Sequence, residues 1–129
     1  MGMMNFRPLA SQVDLTGRNV LLAEDEFMVA LNIQAELEAC GAVVTVVDSV
    51  ADGLGMAGHG FDVAVLDVRL ADGDVFPLAD ALIGRGVPLV FHSGHADTTD
   101  LQAAYPGAQA IPKPTWGSEV ARTVGIAAA

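Results

Sequence analysis

The chain has 129 residues, 52% of them hydrophobic, and a formal net charge of −10. That length makes one domain able to bury a core without disulfide or metal staples, and its apolar runs are strand-sized, too short to cross a bilayer. Only 6 Lys and Arg stand against 16 Asp and Glu, with no basic stripe to meet phosphates, so direct nucleic-acid binding is not expected.

The opening MGMMNFRPLA carries one Arg and no apolar segment after it, so it reads as neither signal peptide nor anchor. Residues 1 to 16 are expected to form an N-terminal extension and residues 17 to 129 the domain. After Gly17, NVLLAEDE is an apolar strand stopped by three acidic residues. From Glu26 the period changes. Phe27, Ala30, Ile33, Leu37 and Cys40 recur at three- and four-residue steps, which predicts an amphipathic helix ending at a left-handed cap on Gly41. A lone Cys40 cannot close an internal disulfide, reads as core, and points to a reducing cytoplasm.

AVVTVVD is short and β-branched, a second strand. SVADGLGMAGHG is a helix weakened by four glycines, and FDVAVLDV a third strand. VFPLADALIGRG is a helix stopped at Gly86, and PLVFHSG a fourth strand opened by Pro88. ADTTDLQAAYPG makes at most a short helix broken by Pro106, AQAIPKP is a fifth strand, and SEVARTVGIAAA a last helix with Ser118 as its N-cap candidate. Strands alternating with helices predict a parallel sheet covered on both faces, because each parallel crossover needs its own helix. No repeat, low-complexity tract or linker divides the chain.

In an open α/β sheet, ligands collect outside the carboxyl ends of the strands. The polar residues ending these strands are Glu24 and Asp25, Asp67, Ser93 and Lys113. Carboxylates gathered in a small volume repel one another, and a hard divalent cation such as Mg²⁺ relieves this while keeping positions for water or phosphate oxygens. A carboxylate nucleophile, a metal, an ammonium and a hydroxyl suit phosphoryl transfer, where positioning and charge neutralisation supply most of the catalysis.

These segments resemble the receiver domain of response regulators in bacterial two-component signalling. VLLAEDE is similar to the family's first strand with its acidic pair, VAVLDVRLADGD to its phosphoacceptor strand, LVFHSG to the strand ending in Ser or Thr, and AIPKP to its Lys-Pro signature. The likeness covers about residues 17 to 126. It implies a flavodoxin-like α/β fold, a five-stranded parallel sheet of order 2-1-3-4-5 between helices on both faces. By position, it implies that Asp67 accepts a phosphoryl group from a histidine kinase or a histidine phosphotransfer protein. Asp25 and Asp67 would bind Mg²⁺ directly, with Glu24 acting through water and the backbone carbonyl of Arg69 as a further ligand. Ser93 and Lys113 would contact the phosphoryl oxygens. FHSGH, DGDVFPLADAL and YPGAQAIPKP are similar to a Phe-Ala-Thr-Gly-Tyr subgroup of mostly single-domain receivers.

Such a phosphoprotein is a cytoplasmic switch and not an enzyme with a separate substrate, though it assists its own phosphotransfer and dephosphorylation. With no module after position 129, output is expected through a downstream partner protein or by passing the phosphoryl group on, with no membrane involved and a homodimer left open. Two departures stand out: Ala71 replaces a Pro that usually stiffens the loop, and Ala110 replaces a switching aromatic, so a rotamer swing coupled to Ser93 is not expected.

Glu26 reads only as a helix start favoured by the macrodipole. His59, His92 and His95 share no ligand spacing, and alternation turns His92 away from Ser93. His95 and Arg69 are placed to influence access of water to an acyl phosphate. Two other readings remain: a receiver-like interaction module indifferent to phosphate, and a small Asp-nucleophile phosphatase. The phosphatase is opposed by Val68 and Arg69, which leave no second Asp two residues after Asp67 to act as general acid.

Overall fold

The computed structural model describes residues 13–94, 98–113, 115 and 117–129. Most of the expected N-terminal extension, His95 and the Pro114 of the Lys-Pro pair lie outside the described residues.

Five strands form one parallel sheet: β1 (Asn19–Ala23), β2 (Val43–Val47), β3 (Val63–Asp67), β6 (Leu89–Ser93) and β7 (Gln109–Pro112), in the order β2-β1-β3-β6-β7. Counting these five alone, the order is the expected 2-1-3-4-5 of a flavodoxin-like fold. The three apolar runs are its interior. β3 and β6 are buried at every position, and β1 at all but Asn19.

Helices α1 (Phe27–Ala39) and α5 (Gly117–Ala127) cover one face, packing Ile33, Leu37 and Val124 against Val20, Val65 and Val90. Helices α2 (Val50–Met56), α3 (Phe76–Ile83) and α4 (Thr98–Ala104) cover the other, packing Val50, Leu78, Leu82 and Leu101 against Leu66 and Phe91. Alternation along each strand feeds both layers.

Gly41, at φ +99°, ends α1 in the left-handed conformation expected of it, and a Cβ there would lie 2.8 Å from Thr16. The glycines of α2 weaken it as a helix but serve its packing: a Cβ on Gly53 would stand 2.5 Å from a Leu78 methyl, so α2 lies close against α3. Ser49 caps α2 by accepting from the Asp52 amide at 3.0 Å. A single 3₁₀ turn, Ala57–His59, follows.

The structure differs from the sequence reading at three places. Phe27, placed on the apolar stripe of α1, is 75% exposed, and the buried stripe starts at Ala30. Ser118 lies inside α5, which begins one residue earlier, so it is not the cap. Two further strands, β4 (Arg69–Leu70) and β5 (Gly73–Asp74), form a small antiparallel hairpin after Asp67, pairing Arg69 with Asp74 and Leu70 with Gly73. Two-residue strands are too short to carry a periodic signal.

Candidate functional site

Register decides what meets at the carboxyl edge. Ala23 pairs with Leu66, Asp67 with His92, and Ser93 with Pro112, so the residues that follow or end these strands gather together. The Lys113 amide donates to the Ser93 carbonyl at 2.6 Å and ties the last two strand ends.

At the centre is the Lys113 ammonium. Its Nζ lies 2.9 Å from Glu24 Oε1, 3.0 Å from Asp67 Oδ2 and 3.1 Å from Glu26 Oε1. Glu24 is 2% exposed and Asp67 8%, so both carboxylates face this ammonium with little water to share. Burial, with the Asp67 carboxylate adding to it and Lys113 opposing it, pushes the Glu24 carboxyl up to about 7. Burial alone would lower Lys113, but its hydrogen bonds to Glu24, Asp67 and Glu26 outweigh that and hold it above its ordinary value.

Oxygens of Glu24, Glu26 and Asp67 all come within 4.8 Å of one another. Hard carboxylate donors at that spacing fit a hard divalent cation, and Lys113 supplies the positive charge where none is bound. The expected residues Glu24, Asp67, Ser93 and Lys113 therefore converge. Ser93 is buried and lines a cavity of about 770 Å³ together with Asp67 and Lys113.

Asp25 opens into the same cavity from an exposed position and is not one of the three clustered carboxylates. Glu26, read from sequence as a helix start only, is the third member of that cluster and reaches Lys113. Backbone at Glu26 is still extended, with φ −86° and ψ 110°, so strand alternation carries Glu24 and Glu26 to one side. The Glu26 amide also donates to Glu24 Oε2 at 3.2 Å.

The turn after Asp67 is held by contacts to the core and to α2. Leu70 is buried in the core, Val75 N donates to the Val68 carbonyl at 2.8 Å, and the Arg69 guanidinium meets Asp74 at 3.4 Å. Asp72, at the tip of the hairpin, accepts from Val50 N at 2.8 Å and Ala51 N at 3.1 Å, the first amides of α2. The Arg69 amide points back to Asp67 Oδ1 at 3.5 Å.

Aromatic rings connect the cavity to the neighbouring helices. Phe76 lines the cavity and stacks on Tyr105 at 6.0 Å, and Tyr105 tilts against Phe91 at 5.2 Å. The Tyr105 hydroxyl donates to Asp80 on α3 at 2.9 Å, and burial with that carboxylate beside it raises the phenol to about 12. His92 is turned away from Ser93, as alternation requires. It is 2% exposed, its ring nitrogens have no hydrogen-bond partner among the described residues, and burial, aided by the Lys113 charge, lowers it to about 4.

No protein-family profile and no curated protein matches the chain. Solved structures do. The non-phosphorylated HemR receiver domain from Leptospira biflexa superposes with a TM-score of 0.78 at 25% identity, covering 87% of this chain and 94% of that one. A response regulator receiver protein from Sinorhizobium medicae WSM419 gives 0.78 at 28% identity, over 89% of this chain and 97% of its own. The receiver domain of sensor histidine kinase PA1611 from Pseudomonas aeruginosa PAO1, described with a magnesium ion coordinated in its active-site cleft, gives 0.74 at 23%, over 88% and 98%. The sheet order, the chain order of its strand-end residues and these likenesses agree: the chain has the fold of response-regulator receiver domains and is similar to them over most of its length.

Proposed function

We propose that residues 17 to 129 form a phosphorylatable receiver of the single-domain Phe-Ala-Thr-Gly-Tyr type, with Asp67 as phosphoacceptor. The observation that carries this reading is the Lys113 ammonium within 3.1 Å of three carboxylates at the convergent strand ends. An Asp67 carboxylate oxygen forms a P–O bond as the P–N bond to a donor imidazole breaks, and the imidazole leaves with the nitrogen's electron pair. Ser93 donates a hydrogen bond to the new phosphoryl oxygens and Lys113 neutralises their charge.

Mg²⁺, held by Asp67, Asp25 and the Arg69 carbonyl with Glu24 behind a water, would supply further charge neutralisation to those oxygens. The donor is a histidine kinase or a histidine phosphotransfer protein in the cytoplasm. Phosphorylation shifts the population of two arrangements of the segment after Ser93 and α4, and a partner protein reads the shift or takes the phosphoryl group.

The test is an NMR titration with Mg²⁺ and then beryllofluoride, a mimic of phosphoryl-aspartate, beside Asp67→Asn. Shifts at Asp67, Ser93, Lys113 and α4 that vanish in the variant are expected. If Mg²⁺ and beryllofluoride leave the wild-type spectrum unchanged, the phosphate-independent interaction module takes its place.

A further inference from the structure

The loop that follows Asp67 is tied to a helix outside the site, and one side chain makes that tie. Asp72 sits at the two-residue tip between Leu70 and Gly73, where many receivers rely on a proline at the preceding position. Both its oxygens are used, at 2.8 Å on Val50 N and 3.1 Å on Ala51 N, and the α2 amides they satisfy have no partner within their own helix. Ser49 already caps α2 through Asp52 N, so the helix has its own device and Asp72 serves a second purpose. The hairpin holds only two residue pairs, too few to be rigid alone.

We propose that Asp72 is a positioning residue: it clamps the hairpin, and with it the Arg69 carbonyl and the exit of β3, onto the start of α2. The inference rests on the reading of Arg69 as a backbone ligand to Mg²⁺ and extends it to a residue outside the ligand set. Ligands act through the shells that orient them. Coupling of this kind is reciprocal, so the occupancy of the metal site is felt at Val50 and Ala51.

Three variants separate clamp from cap and from charge. Ser49→Ala removes the helix's own cap and leaves the hairpin tied. Asp72→Asn removes the charge and keeps one acceptor. Asp72→Ala removes both. Mg²⁺ affinity by NMR titration is expected to fall about tenfold in Asp72→Ala, the low end for loss of an outer-shell partner, and much less in the other two. Hydrogen exchange without metal is expected to quicken at the Val75 amide, which bonds to Val68, in Asp72→Ala but not in Ser49→Ala.

Equal loss of affinity in Asp72→Asn and Asp72→Ala would make Asp72 a remote charge and overturn the proposal. So would unchanged Val75 exchange in Asp72→Ala. A wild type that ignores Mg²⁺ overturns the receiver-site reading instead, and the exchange comparison still decides whether the clamp exists.

Discussion

Each polar side chain among the buried strand ends has a partner or a cost, and His92 is the one with a cost. An imidazole with neither nitrogen hydrogen-bonded among the described residues, 2% exposed, is held neutral in the fold. Its value falls from 6.5 to about 4, so its contribution is intact above 6.5 and is lost as pH falls from there towards 4. That difference is worth up to about 3 kcal/mol. His92→Leu is expected to flatten the acid limb of stability and to raise stability at neutral pH by about 1 kcal/mol, since a buried unsatisfied group is removed. Urea denaturation at pH 7 and pH 5 measures both; a variant as acid-sensitive as the wild type would place the acid limb elsewhere.

Between elements, Ala110 is half-buried at the position where the resemblance leads one to expect an aromatic. The structure puts an aromatic in the same core cluster from a different address. Tyr105, just after α4, packs on Phe91 and Phe76 beside Ala110 and bonds to α3 through Asp80. As the chain's single tyrosine it can be followed alone by ultraviolet absorbance. It is expected to titrate near 12, and Asp80→Asn to bring it down towards 10, because burial and the carboxylate both oppose the phenolate. The sign for stability follows: the contribution is present below 10 and lost as pH rises through 12. An unchanged titration in Asp80→Asn would show that burial alone sets the value.

The same element explains what was legible in the sequence and what was not. Strand runs such as VAVLD announce themselves because four consecutive buried positions hold only apolar residues, and the carboxylate at the fifth marks the site edge. Tyr105 and Asp80 stand 25 residues apart, and their meeting depends on how α3 and α4 lie over the sheet, which no local pattern encodes. Asp72 and the hairpin were hidden likewise, since Ala71 suggested a slack loop while the hydrogen bonds of Asp72 reach a helix 22 residues upstream. The reach of Glu26 to Lys113 was hidden for a subtler reason: its residue type suits a helix start, which it is, and its extended backbone is what turns it towards the site.

At the scale of the molecule, a chain of net charge −10 has brought three carboxylates to one edge of its sheet and balances them with one lysine. Without metal, Glu24 held up at about 7 by burial favours the fold most below 4.5, and that contribution drains away as pH rises from 4.5 through 7. A divalent cation bound as proposed would favour the ionised carboxylates and so reverse the trend, stabilising most where Glu24 is deprotonated.

Lys113→Ala isolates the balance. The metal-free variant is expected to lose about 3 kcal/mol, as buried groups do when a partner is removed, with the loss smaller at pH 5 than at pH 8 because protonation relieves the repulsion. Mg²⁺ at about 100 times its Kd should return about 2.7 kcal/mol. It should bind the variant more tightly than the wild type, because no ammonium has to be displaced. Denaturation at both pH values with and without Mg²⁺ checks all of this. Equal stabilisation of variant and wild type at one and the same Mg²⁺ concentration would mean that lysine and metal do not contend for the same carboxylates, and the cation site would then lie away from Lys113.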